Sequence, residues 1–174
     1  LKLVYVGKVM LYGQKNLIEL FNGIREYPEK IHVDLFGADT SDGEVSDYLT
    51  KLKITEKCML HGWNKNPWEK IINEVHPNAL VLTSKYEGLP MVMIEAMERG
   101  IPCLVADFSG YEDVLINGIN GLTYKSGDIS DFIDKMMLLR EKHFSPELVN
   151  KSTKKFEDSE YFKRLDRAVN MIGK

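Results

Sequence analysis

Cysteine is scarce in this 174-residue chain: only Cys58 and Cys103 occur, and both lie inside apolar runs. That excludes a disulfide scaffold and reads as two buried thiols in a reducing compartment. Neither His-Glu-x-x-His nor Cys-x-x-Cys occurs, and no pair among the four histidines has metal-ligand spacing, so no metal is expected. His32, His61, His76 and His143 read as structural. A basic surplus is missing too. The 23 Lys and Arg against 26 Asp and Glu leave a net charge of −3, which argues against a nucleic-acid partner. No stretch approaches the roughly eighteen uninterrupted apolar residues of a membrane span. There is no initiator Met and no leader-type segment; Leu1 opens inside an apolar strand, so the chain reads as a piece of something larger.

What is present is an alternation of short apolar runs with amphipathic segments. Leu1–Val6, Ile31–Phe36, Cys58–His61, Ala79–Leu82, Pro102–Ala106 and Gly121–Tyr124 read as strands. Asn16–Tyr27, Glu44–Lys53, Trp68–Val75, a segment from Pro90 to Gly100, and Ile129–Lys142 read as helices, with further helices over Pro146–Lys155 and Glu160–Ile172. Repeated strand-helix order predicts one α/β domain built on a doubly wound, parallel six-stranded sheet. Ligands then bind outside the carboxyl ends of the strands, which directs attention to the loops after Val6, Phe36, His61, Leu82 and Ala106.

The most informative loop is Glu87-Gly88-Leu89-Pro90, leading into Met91-Val92-Met93-Ile94-Glu95. Gly88 allows close approach of backbone to a ligand. The free amides at the helix start suit an anion or a hydroxyl-rich group. Glu95 lies five residues past Pro90, about 7.5 Å along a helix axis, so one carboxylate stands at the helix mouth and one deeper. Two acceptors so separated can hold two sugar rings with a diphosphate between them. The plainer alternative is a capping Glu87 and a surface Glu95 paired with Arg99 at i+4. Burial of the helix by Met91, Val92, Ile94 and Ala96 argues against it.

Glu, seven residues, Glu on a strand-loop-helix resembles the signature of the family 4 retaining glycosyltransferases. Tyr5-Val6-Gly7-Lys8 with Gly13-Gln14-Lys15 resembles that family's first glycine loop, and Glu112 to Gly121 its acidic, glycine-punctuated segment before the last strand. Gly13-Gln14-Lys15, Gly62-Trp63 with Pro67-Trp68-Glu69, and the Glu-Gly-Leu-Pro-Met run are also similar to the lipopolysaccharide 1,6-galactosyltransferases of bacterial outer-core synthesis. The resemblance covers nearly the whole chain. It implies the Rossmann-like, C-terminal donor-binding half of a two-domain GT-B enzyme, with the N-terminal acceptor domain absent from these residues.

By the same resemblance, a hexose (galactose or glucose) would pass from a UDP-sugar to a sugar hydroxyl of lipopolysaccharide or a related cell-surface glycan, with retention. Glu87 would contact the transferred hexose, Glu95 the ribose hydroxyls, and Lys8 and Lys15 the diphosphate. Gly7 and the backbone of Gly88, Leu89 and Pro90's neighbours would meet sugar and phosphate, Pro90 itself having no N–H. Gly62 and Trp63 would sit near the base, with Trp63 either stacking or packing. No cofactor is implied, and the metal-holding Asp-x-Asp of the other large glycosyltransferase fold does not occur. Two departures stand out. Lys8 occupies the usual Arg position, losing the bidentate fork, and Lys15 follows seven residues later, further along than the family pattern. The basic run Lys151, Lys154, Lys155 reads as a solvated face. It leaves room for peripheral contact with the cytoplasmic face of the inner membrane, and a cytoplasmic location is expected. The alternatives are a GT-B nucleotide-sugar epimerase and a non-catalytic nucleotide-sugar binding module. A dehydrogenase-type dinucleotide site is disfavoured, because the first loop has no G-x-G-x-x-G.

Overall fold

The computed structural model describes residues 1–156. In chain order the elements are β1 (Lys2–Val6), α1 (Leu17–Glu26), β2 (His32–Phe36), α2 (Glu44–Leu52), β3 (Cys58–Gly62), α3 (Pro67–Lys70) and β4 (Ala79–Leu82). Then come α4 (Met91–Glu98), β5 (Cys103–Ala106), β6 (Gly121–Tyr124), α5 (Ile129–Glu141) and α6 (Pro146–Lys151). The helix expected over Glu160–Ile172 lies outside the described residues.

The six strands form one sheet in the order β3-β2-β1-β4-β5-β6, and every pairing is parallel. β4 and β5 are buried along their whole length. That is why they are continuous apolar runs rather than alternating ones: in a doubly wound sheet both faces are covered. On α1 the stripe Leu17, Leu20, Phe21 and Ile24 is fully buried, as its spacing predicts. Asp128 caps α5 by accepting from the Asp131 amide at 3.1 Å, and Ser145 caps α6 through the Leu148 amide at 3.3 Å.

The strand order reverses beside β1. The chain builds outward through β2 and β3, then returns to place β4 on the other flank of β1. Such a switch point opens a crevice at the carboxyl ends of the two central strands. The loops after β1 and β4 therefore face each other across it.

Three boundaries differ from expectation. The Trp68–Val75 helix is one α-turn, α3, continuing as a π-helix over Ile71–Val75 that buries Ile71 and Val75. α4 starts at Met91 rather than Pro90, whose ψ of 79° keeps it outside the helix. Met91 is 53% exposed, so the burying residues of α4 are Met93, Ile94, Ala96 and Met97. The last described helix stops at Lys151, and a 3-10 turn follows at Lys154–Phe156. Both cysteines are free and buried. Burial pushes the Cys58 thiol up to about 12 and raises that of Cys103 further.

Candidate functional site

The loops after β1 and β4 are laced together at the switch point. The Lys85 amide donates to Gln14 O at 2.9 Å, and Thr83 Oγ1 donates to Lys15 O at 3.0 Å. Gln14 Nε2 reaches back to both Tyr86 O, at 3.1 Å, and Glu87 Oε2, at 3.2 Å. Lys15 Nζ donates to Glu87 Oε1 at 2.6 Å, and Ser84 Oγ donates to the same oxygen at 2.6 Å. Glu87 thus accepts three hydrogen bonds in a pocket that leaves its side chain 11% exposed. Three donors satisfy a carboxylate that is held largely out of water.

A cavity of 480 Å³ lies at the carboxyl ends of β1, β2 and β3. Gly7, Lys8, Gly37, Trp63, Trp68 and Glu95 are among its lining residues. Its floor is sealed by close backbone contact. The Gly7 amide donates to Phe36 O and the Gly37 amide to Gly62 O, and a Cβ on Gly37 would overlap the Gly7 carbonyl. Phe36 is backed by the His61 ring, stacked at 4.2 Å, and His61 Nε2 lies 2.6 Å from Asp34 Oδ1. His61 is therefore a structural brace, as is His32, 3.6 Å from the same carboxylate. The two histidines with Asp34 do not make a cation cage; no group of three potential ligands among the described residues could hold a metal.

Tyr5 joins the cavity to the Glu87 cluster. Its hydroxyl donates to Lys8 O at 2.7 Å. Burial, reinforced by the nearby Glu87 charge, raises its phenol well above the ordinary range. Lys8 is exposed at the cavity mouth, a cation free to meet an anion. Lys15 is instead committed to Glu87 and does not line the cavity.

Glu95 takes neither role the plainer alternative gave it. Its Oε2 accepts from the Trp68 indole at 2.8 Å. Arg99 lies over the Trp68 ring, 5.0 Å from its centroid, and donates to the Glu95 backbone carbonyl rather than to the carboxylate. Glu87 caps no helix either, since Pro90 is the N-cap of α4 and no side chain caps it. At the α4 mouth the Met91 amide is occupied by Leu89 O at 2.8 Å, so it is lost to a ligand. Gly88 has open space around it, and Leu89 is 54% exposed. Gly62, with φ 70°, ends β3 and projects Trp63 to the rim, 73% exposed and not packed into the core.

Sequence reasoning missed Ser84, Thr83 and Trp68. Ser84 and Thr83 are fully buried polar residues closing a buried strand, the one signal that marked them. The Glu112–Gly121 segment is structural in its second half: buried Asn120 accepts from the Ile116 amide and donates to Val114 O and Ser152 Oγ.

Comparison with known proteins shows the family. Residues 1–156 match the family Glycosyl transferases group 1. The chain belongs to that family. A curated member, the lipopolysaccharide 1,6-galactosyltransferase of Escherichia coli (strain K12), is 31% identical over 170 residues, 95% of this chain and 47% of the relative. The apo structure of the lipopolysaccharide outer core galactosyltransferase WaaB superposes with a TM-score of 0.90 at 32% identity, over 98% of this chain and 49% of that one. The pneumococcal O-GlcNAc transferase GtfA, in complex with UDP and GlcNAc, shares the fold with a TM-score of 0.78 at 16% identity, over 98% and 35%. This group 1 chain spans about half the length of the two lipopolysaccharide galactosyltransferases it matches. No helix among its described residues is long and apolar enough to cross a membrane.

Proposed function

We propose that this group 1 domain binds the donor of a hexosyltransferase. The complete protein would move galactose or glucose from a UDP-sugar to a sugar hydroxyl of lipopolysaccharide or a related glycolipid, with retention. One observation carries the reading: a cavity lined by Lys8 and Glu95 lies at the carboxyl ends of the strands, and the loop after β4 holds a constrained Glu87 at the topological switch point. Likeness to a lipopolysaccharide galactosyltransferase, and to a fold that holds UDP and GlcNAc in GtfA, supports it. Glu95 takes the ribose hydroxyls, Lys8 the diphosphate, and Glu87 the transferred hexose.

The chemistry follows from charge placement. As the bond between the sugar's anomeric carbon and phosphate oxygen breaks, negative charge grows on UDP. Lys8 and the amides of Gly88 and Leu89 stabilise it. The acceptor oxygen bonds to the same face of the anomeric carbon, and its proton passes to the departing phosphate. Glu87, tied down by three donors, orients the hexose. The acceptor is held by a part of the protein beyond these residues. Lys8 and the amides carry the phosphate charge, so transfer by the complete protein survives EDTA. Loss of activity restored by Mg²⁺ or Mn²⁺ would contradict this.

Calorimetry with UDP tests the donor site. A dissociation constant between about 1 μM and 1 mM, roughly −8 to −4 kcal/mol, is expected. Neither heat nor NMR shifts near Gly7, Trp63 and Glu95 at millimolar UDP would remove the assignment. Membership of the transferase family weighs against an epimerase or a non-catalytic module, and product analysis of the complete protein separates the three.

A further inference from the structure

We infer that Trp68 is a positioning residue that sets the direction of the Glu95 carboxylate; the inference rests on the ribose role proposed for Glu95. Pro67 opens α3 and places Trp68 in its first turn, facing α4. There Trp68 is 6% exposed, yet it is among the residues lining the cavity, with Glu95. Indole N–H can only donate, so its 2.8 Å bond requires Glu95 as acceptor. The bond commits Oε2. Oε1 has no protein donor among the described residues and is left for the hydroxyls of a bound sugar.

The ring does a second job. Arg99 stands four residues after Glu95, the spacing at which a Glu and an Arg on one helix pair across a turn. In the structure the guanidinium lies instead over the Trp68 ring and its N–H bonds the Glu95 carbonyl. Trp68 thereby holds the Arg99 guanidinium off the carboxylate, which stays open to a neutral diol. Without the ring, Arg99 keeps only the Glu95 carbonyl and Glu98, 3.8 Å away, as partners, and its guanidinium can turn onto the Glu95 carboxylate and compete with the ligand. The indole edge and the indole face thus act on the same carboxylate by two routes. Trp68→Phe removes the first route and keeps the second; Trp68→Ala removes both.

The test compares UDP with 2′,3′-dideoxy-UDP, which lacks both ribose hydroxyls, and with uridine, which lacks the phosphates. The wild-type chain should prefer UDP to the dideoxy analogue by about tenfold or more, the size of a hydrogen bond to a charged group. Trp68→Phe should cut that preference by about fivefold, and Trp68→Ala should abolish it, with the UDP-to-uridine ratio unchanged. General loosening of the fold would weaken all three ligands alike and leave both ratios intact. In a Glu95→Ala background Trp68→Phe should shift the dideoxy ratio no further. An intact dideoxy ratio in Trp68→Phe overturns the positioning role alone. A wild-type chain that binds UDP and its dideoxy analogue equally overturns it together with the ribose reading.

A readout on the unmutated chain covers failure of the variants to fold. The chain has two tryptophans, and Trp63 is 73% exposed against 6% for Trp68, so the two indole proton signals are distinguishable. UDP should move the Trp68 indole proton more than the dideoxy analogue does. Equal shifts overturn the proposal.

Discussion

Lys15 and Glu87, 72 residues apart in the chain, meet at 2.6 Å across the switch point and join the loop after β1 to the loop after β4. Their side chains are 18% and 11% exposed. Lys15 is therefore first a clamp on the Glu87 loop. Lys15→Met should lower unfolding free energy by about 1–3 kcal/mol, because a largely buried carboxylate loses a charged donor. Glu87→Gln should cost less, since an amide still accepts from Ser84. Urea midpoints at fixed m-value check the order.

Lys8 and Lys15 should part company toward phosphate. Lys8→Ala should lower UDP affinity more than uridine affinity, and the loss should shrink as the Debye length falls from about 10 Å at 0.1 M salt to 3 Å at 1 M. Lys8→Arg should hold or improve UDP binding, because a guanidinium engages two phosphate oxygens. Lys15→Ala should change the UDP-to-uridine ratio less, its charge being offset by Glu87. Calorimetric titrations at two salt concentrations decide it.

The two carboxylates should separate by ligand. Glu95→Ala should weaken UDP and UDP-hexose equally, by about ten- to a hundredfold, since the ribose is common to both. Glu87→Ala should spare UDP and lower hexose discrimination or turnover. Equal losses of UDP affinity in both variants would show the division wrong.

Two glycines predict opposite outcomes. At Gly37 a Cβ would overlap the Gly7 carbonyl, which is backbone and cannot move aside. Gly37→Ala should fail to fold or lose the cavity floor. Gly88 meets nothing within 4 Å and has no positive φ, so Gly88→Ala should match the wild-type melting temperature. Any loss of UDP-hexose binding in that stable variant would report contact with ligand.

Buried acids set the alkaline limit. The Cys58 thiol rises from 9.0 to about 12 on folding, so the native state holds a proton that the unfolded chain releases. Its stabilisation is complete below pH 9 and is lost as pH rises toward 12, at up to about 1.4 kcal/mol per pH unit. Buried Tyr5, Tyr124 and Cys103 act with the same sign. Unfolding free energies at pH 8 and pH 10.5 should fall steeply. At pH 8 both cysteines should resist a thiol reagent until the chain is unfolded.

The alternation of buried runs with amphipathic stripes was enough to predict the parallel sheet and the strand ends where the site lies. The places of Glu87 in the loop after β4 and of Glu95 on α4 were legible because the strand-loop-helix pattern is local in the chain. The i+4 relation of Glu95 to Arg99 offered an ion pair only as the plainer alternative, and the structure routes Arg99 over Trp68 instead. Pro90, a good first helical residue by type, lies just outside α4.

Periodicity in the chain determined which residues go inside and which elements form, because burial of apolar surface acts on each segment by its own pattern. Which loops meet was decided by strand order. Only when β4 returns beside β1 do Gln14, Lys15, Ser84 and Glu87 come within hydrogen-bonding reach. Only the packing of α3 against α4 brings the Trp68 indole, 27 residues away, onto Glu95. Hydrogen bonds and ion pairs act over a few ångströms, and no pattern along the chain encodes a distance across it.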